Sequence, residues 1–162
     1  VLSVLTKDLP KLIAQFQASR KAEGAALHRI LADNLKQMEA LITQALATLK
    51  TRADGFEENF RAALARLKQD IDPERLAQEM AILAVKSDVT EEIDRLQAHI
   101  AAAQTLLTSD EPSGRKFDFL MQEFNREANT LCSKSGSKAL TAIGLEMKVL
   151  IDQMREQVQN VE

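Results

Sequence analysis

Turn-forming residues are so scarce in this chain that a sheet-based fold is nearly ruled out. Of 162 residues only 5 are glycine and 3 are proline, too few to punctuate the hairpins of an antiparallel sheet. Ala, Leu, Glu, Gln, Lys and Arg dominate, and these residues lose least on entering a helix. Trp and Tyr are absent and aromatics amount to 4%, so a core must be made from Leu, Ile, Ala and Met. Such cores sit between long helices. The expected fold is all-α, with a long helical hairpin or coiled-coil arm over residues 1–70 and a helical bundle domain over 71–162.

The apolar pattern supports this division. Leu12, Phe16, Leu27, Ile30, Leu31, Leu35, Met38, Leu41, Ile42, Ala45 and Leu49 recur at helical spacing. Asp8 and Pro10 fit a cap and first turn, Gly24 is either a bend or a tolerated interior glycine, and Ala53-Asp54-Gly55 is either a turn or a continuation. Phe56, Phe60, Leu64 and Leu67 share one face of the next stretch. Asp72-Pro73 marks a clear helix start, and Asp88, followed by Glu91, marks another. Three further stripes follow. The first is Val89, Ile93, Leu96, Ile100, Ala103 and Leu107. The second is Phe117, Leu120, Met121, Phe124, Ala128 and Leu131. The third is Leu140, Ile143, Met147, Leu150, Ile151, Met154 and Val158. Breaks are expected at Ser109–Gly114 and at Ser135-Gly136-Ser137.

Charge and cysteine content exclude some functions. A formal net charge of −3 argues against a blanket polycation, while leaving room for a local basic patch. The single cysteine, Cys132, permits no internal disulfide and no multi-thiolate zinc site, and it fits a reducing cytoplasm. The apolar run Met80–Val85 is far too short to cross a bilayer, so no membrane partner is expected. There is no Walker loop, Rossmann glycine pattern or serine-nucleophile elbow.

Polar residues cluster on the flanks of the stripes. Glu92, Arg95 and His99 share one flank, a placement that suits either metal sharing or acid–base work, or else an ordinary solvated ion pair. Glu123 and Glu127 lie one turn apart at the edge of their stripe and repel unless an arginine or a metal sits between them. Gln122, Arg126 and Asn129 lie further round the same helix. Arg115 and Lys116 follow Gly114 at a helix start, where free backbone N–H groups and two cations form a seat for phosphate. The stretch Asn129–Lys134 is unusually polar for a helix end, fit either to bond a sugar–phosphate backbone or to cap.

The stretch Gly114-Arg-Lys-Phe-Asp-Phe-Leu-Met-Gln-Glu-Phe-Asn-Arg-Glu-Ala-Asn-Thr-Leu-Cys-Ser-Lys134 resembles the C-terminal signature of the YicC family. So does the ending, from Glu146-Met-Lys148 through Ile151 to Arg155–Glu162. Asp88-Val-Thr-Glu-Glu92 with Arg95 and His99, Arg75–Glu79 and Arg20–Gly24 resemble three further blocks of that family, in the family's order. The resemblance implies a bacterial cytoplasmic, metal-dependent endoribonuclease that cuts structured RNA and takes part in stress and stationary-phase RNA turnover. It implies assembly as a homo-oligomeric ring, a hexamer, alongside other RNA-decay enzymes. It also implies that the family's N-terminal α/β domain is not in this chain.

Combined with the helix faces, the resemblance yields a site. Mn²⁺ or Mg²⁺ is expected on carboxylates drawn from Glu92, Asp118, Glu123 and Glu127. His99, Glu123 and Glu127 are the expected catalytic residues, His99 as a ligand or proton-transfer group. Arg95, Arg115, Lys116, Gln122, Arg126, Asn129 and Lys134 are expected on RNA. Without Trp or Tyr, recognition should favour backbone and shape over base identity. Two rival readings are an RNA-binding adaptor without catalysis and a purely structural oligomerisation module.

Overall fold

In the computed structural model, which describes residues 2–66, 72–109 and 111–159, every regular element is a helix. These are α1 (Leu2–Arg66), α2 (Pro73–Lys86), α3 (Thr90–Leu107), α4 (Gly114–Lys134) and α5 (Lys138–Gln159). At about 1.5 Å per residue, the 65 residues of α1 extend roughly 100 Å.

One sequence expectation is corrected in α1, and one alternative left open is decided. Pro10 lies inside the helix rather than in its first turn. It is exposed, so water can satisfy the carbonyl that its missing N–H leaves unpaired. The helix also runs through Ala53-Asp54-Gly55 without a turn, the cost of one glycine being small against the length of the element. Gly24 is likewise helical, and a Cβ there would meet nothing within 4 Å. The side chains of Phe56, Phe60, Leu64 and Leu67 lie outside the described residues.

The core is a ring of four helices, in which α1 packs on α3 and α5, and α4 packs on α3 and α5. Only part of α1 takes part. Leu31, Leu35, Met38, Leu41, Ile42 and Ala45 are buried, whereas Leu12 and Phe16 are each 62% exposed. The segment 31–49 of the arm thus supplies one wall of the same core as α3–α5. From the other walls come the stripes anticipated above, with Phe124, Leu131, Leu140, Met147 and Ile151 fully inaccessible. The three methionines 121, 147 and 154 are core filler. α2 stays outside this ring, with Ile82, Leu83 and Val85 exposed.

Local signals set the helix ends that fix the register. The Asp72 carboxylate accepts the Glu74 N–H at 3.1 Å, with Pro73 in the first turn. The Asp88 carboxylate accepts the Thr90 N–H at 2.9 Å, and these bonds from Thr90 hold its carboxyl below the ordinary value. Between α4 and α5 the chain reverses through Gly136, at φ 52°, a left-handed position that favours glycine. Facing α4, Gly144 allows close approach: a Cβ would lie 2.4 Å from Cys132 Sγ and 2.9 Å from Leu131 Cδ2. No helix among the described residues is long and apolar enough to cross a membrane.

Two predictions follow from this packing. Gly144→Ala gains about 1 kcal/mol of helix propensity but overpacks the α4–α5 contact by about 1–3 kcal/mol. Urea denaturation should therefore show a net loss, while Gly24→Ala, in open space, should gain up to about 1 kcal/mol. Asp88→Ala removes the acceptor of the Thr90 N–H and should cost about 0.5–1.5 kcal/mol at neutral pH, the range of one ordinary hydrogen bond. Because folding depresses the Asp88 carboxyl, its contribution is complete above the ordinary value of 3.8 and is lost as pH falls through the folded-state value. The gap between wild type and variant should narrow in denaturation curves taken at progressively lower pH.

Candidate functional site on the α3–α4 seam

Helices α3 and α4 run antiparallel, and their facing flanks carry the polar residues in layers. The first layer joins the start of α3 to the end of α4: Lys134 Nζ donates to Glu92 Oε1 at 2.8 Å. In the second, Arg95 Nη1 donates to Glu127 Oε1 at 3.3 Å, while Nη2 donates to the exposed Glu91. The third brings His99 opposite Glu123. Around it, one ligand atom each from His99, Glu123 and Glu127 lie within 4.8 Å of one another.

Burial makes this seam more than a solvated edge. Glu92 and Glu127 are only 4% and 3% exposed, so each buried carboxylate needs a counter-charge. Lys134 and Arg95 supply it, and the hydrogen bonds they donate to Glu92 and Glu127 raise both cations above their ordinary values. Glu92 Oε2 is buried without a partner, leaving Lys134 as the charge that holds it. His99 Nε2 is also buried without a hydrogen-bond partner. The imidazole is oriented by an edge contact with the Phe124 ring, with centroids 5.7 Å apart and planes at 76°. Glu123 has only a loose partner in Arg126, at 4.0 Å.

These residues fit a divalent cation. An imidazole nitrogen and two carboxylates form a donor set suited to a first-row divalent ion such as Mn²⁺, and less to Mg²⁺, which favours all-oxygen ligands. Ligand bonds of about 2.1 Å span donor atoms up to about 4.2 Å apart, so the observed spread needs only side-chain adjustment. The buried, unpartnered Nε2 of His99 is the observation that points to a ligand, since such an atom is costly if it stays unsatisfied.

The other residues singled out in the sequence are dispersed. Asp118 stands away from the triad and accepts from Gln122 at 2.9 Å. Asn129 donates to Asn125 at 2.8 Å, on the exposed side of α4. Arg126 is exposed. Arg115 and Lys116 lie at the far end of the seam, where they line an open groove with Thr105, Leu106 and Phe119; Lys116 also pairs with Glu111 at 3.0 Å. Sequence reasoning read Glu91 only as the capping partner of Asp88, and it passed over Phe119. Glu91 had a signal, since it lies four residues before Arg95 on the same helix. Phe119 falls outside its helix's apolar stripe, and at 59% exposed it is an aromatic beside two cations.

Comparison with known proteins places the chain among relatives. The family described as "Endoribonuclease YicC-like, C-terminal" matches residues 44–162. A protein named probable endoribonuclease YicC from Haemophilus influenzae is 40% identical over 169 residues, covering 99% of this chain and 58% of that protein. Another of the same name from Clostridioides difficile is 34% identical over 163 residues, covering 99% of this chain and 56% of that protein. The chain thus spans a little over half the length of these curated relatives.

The Glu92–Lys134 layer is open to a stability test. Lys134→Ala strands a buried carboxylate, whereas Glu92→Leu with Lys134→Leu removes both charges. Thermal melts at pH 7 should place the single variant well below the double one. Because folding raises the Lys134 ammonium, its contribution is complete below the ordinary value of 10.5 and disappears as pH rises through the folded-state value.

Proposed function

The chain belongs to the YicC-like endoribonuclease family, and we propose that its α3–α4 seam is the metal-assisted cleavage site of an endoribonuclease acting on structured RNA. The observation that carries this reading is the His99–Glu123–Glu127 cluster with its unpartnered imidazole nitrogen. The names of the relatives, probable endoribonucleases, support the same class of reaction.

His99, Glu123 and Glu127 would hold the divalent ion. When bound, that ion supplies polarisation of the scissile phosphate and a lowered pKa for the attacking oxygen. If His99 keeps its Nε2 toward the substrate instead, it is the group placed to accept or return a proton. Glu92 and Asp118 play no direct part in this arrangement: the first is committed to Lys134 and the second to Gln122. Phosphates would be held by Arg115, Lys116 and Arg126, which are exposed cations on α4. Phe119 offers a face on which an unpaired base can stack beside Arg115. The RNA is therefore gripped mainly by backbone and shape, with one sequence-tolerant stacking contact.

The test is cleavage of an end-labelled RNA hairpin by purified protein in Mn²⁺, in Mg²⁺ and in EDTA. Cutting should require the metal, and Glu123→Gln and His99→Ala should each lower it at least about 100-fold while leaving RNA binding intact. Cutting that survives EDTA would refute the metal reading, and tight binding with no cutting under any condition would point to an RNA-binding adaptor. Arg115→Ala should weaken hairpin binding and reduce the slope of log K against log salt by about one contact. An unchanged slope would remove Arg115 from the RNA path.

A further inference from the structure

Arg95 lies on the same flank as His99 and was expected to hold RNA phosphate, but its two nitrogens are engaged by carboxylates of the seam. Nη1 donates to Glu127 Oε1 at 3.3 Å, and Nη2 donates to Glu91. Glu127 is one of the three residues that converge on the candidate metal position. It is buried, so its negative charge must always have a cationic neighbour. Two cations can fill that role, the guanidinium and a divalent ion.

We propose that Arg95 is a built-in competitor for the divalent cation: it serves as the counter-ion of Glu127, and metal binding displaces it onto Glu91. This rests on the metal reading of the triad given above. Three features support it. The guanidinium side chain is half exposed, so it has room to withdraw into solvent. Glu91, on the same helix one turn earlier, already bonds its other end, so withdrawal leaves it anchored rather than free. Finally, the first layer of the seam lacks this choice, since Glu92 has Lys134 and no imidazole beside it.

The consequence is a metal affinity set below the strongest the triad can provide, and an arginine released at the site when the metal arrives. A cationic side chain beside a divalent ion repels it, and removing that charge strengthens the ion's binding. A residue that merely orients Glu127 does the opposite, because its loss disorders a ligand and weakens binding. The two roles therefore differ in sign.

Mn²⁺ binding to the purified protein, followed by calorimetry, distinguishes them. Arg95→Gln keeps a donor for Glu127 while removing the charge, and should bind Mn²⁺ about ten-fold more tightly, the effect of one screened unit charge near a divalent ion. Arg95→Lys keeps the charge and should stay within about two-fold of wild type. If Arg95→Gln binds equally or more weakly while wild type binds Mn²⁺, the competition proposal is wrong and Arg95 is a positioning residue. If neither wild type nor Arg95→Gln binds Mn²⁺, the metal reading of the triad fails first. A second measurement needs no variant at this position. In wild type, Mg²⁺ titration should shift the Arg95 guanidinium NMR signals, and the shift should vanish in His99→Ala. Guanidinium signals that stay fixed while Mg²⁺ binds would overturn the displacement.

Discussion

A carboxylate buried between α3 and α4 governs much of what this molecule can do. Glu127 is nearly inaccessible, and an uncompensated charge there would cost several kcal/mol. A cation must therefore stand opposite it, and Arg95 takes that place, in one rotation and register of α3 against α4. With residue 95 opposite residue 127, helical spacing carries Glu92 to Lys134 on one side and His99 to Glu123 on the other. The apolar stripes beneath would tolerate small slips between two smooth helices. The ion pairs restrict them, in keeping with the use of buried polar groups to specify one packing among several of similar energy.

Much of this architecture was legible from the residues. The stripes of α3, α4 and α5 are regular enough that every residue assigned to them is buried or partly buried, while the buried Gly144, Glu92 and Glu127 lie outside them. The cap at Asp72 was equally readable, because a short side chain bonding a nearby N–H is a local event; α3 starts instead from Val89, with Asp88 one residue earlier accepting the Thr90 N–H. What failed to show were the features decided at a distance. Pro10 read as a helix start and Gly55 as either a turn or a continuation, yet a 65-residue helix absorbs both. Nothing in the pattern of α1 distinguishes Leu12, which is exposed, from Leu35, which is buried, since both fit the same spacing. That difference depends on where α3 and α5 lie.

The candidate site shows the same boundary. Position on a helical wheel put Glu123 and Glu127 at the edge of a stripe, and put His99 on the matching edge of another. Whether two edges meet is a tertiary fact. When they do meet, an edge becomes an interior, and Glu127 changes from a solvated acid to a buried one. Asp118 had the same credentials in sequence as Glu123, but it lies where Gln122 is its partner and no imidazole faces it. Residue type and spacing nominated a set of carboxylates, and helix packing brings Glu123 and Glu127, but not Asp118, beside His99.

The placement of the cluster on helices rather than loops also has a chemical consequence. His99, Glu123 and Glu127 project from the middle of two packed helices, so their backbones are held by the core and little reorganisation is needed to bring their side chains together. The cations are arranged differently: Arg115 and Lys116 stand at the start of α4 and Lys134 at its end, separated by roughly 28 Å of helix at 1.5 Å per residue. Arg95 and Arg126 lie between these ends, beside Glu127 and Glu123, so the seam carries both signs along its length. Each of its buried carboxylates has its own counter-charge, Lys134 for Glu92 and Arg95 for Glu127. The imidazole set between Glu123 and Glu127 has no such match, since His99 Nε2 is buried with no hydrogen-bond partner.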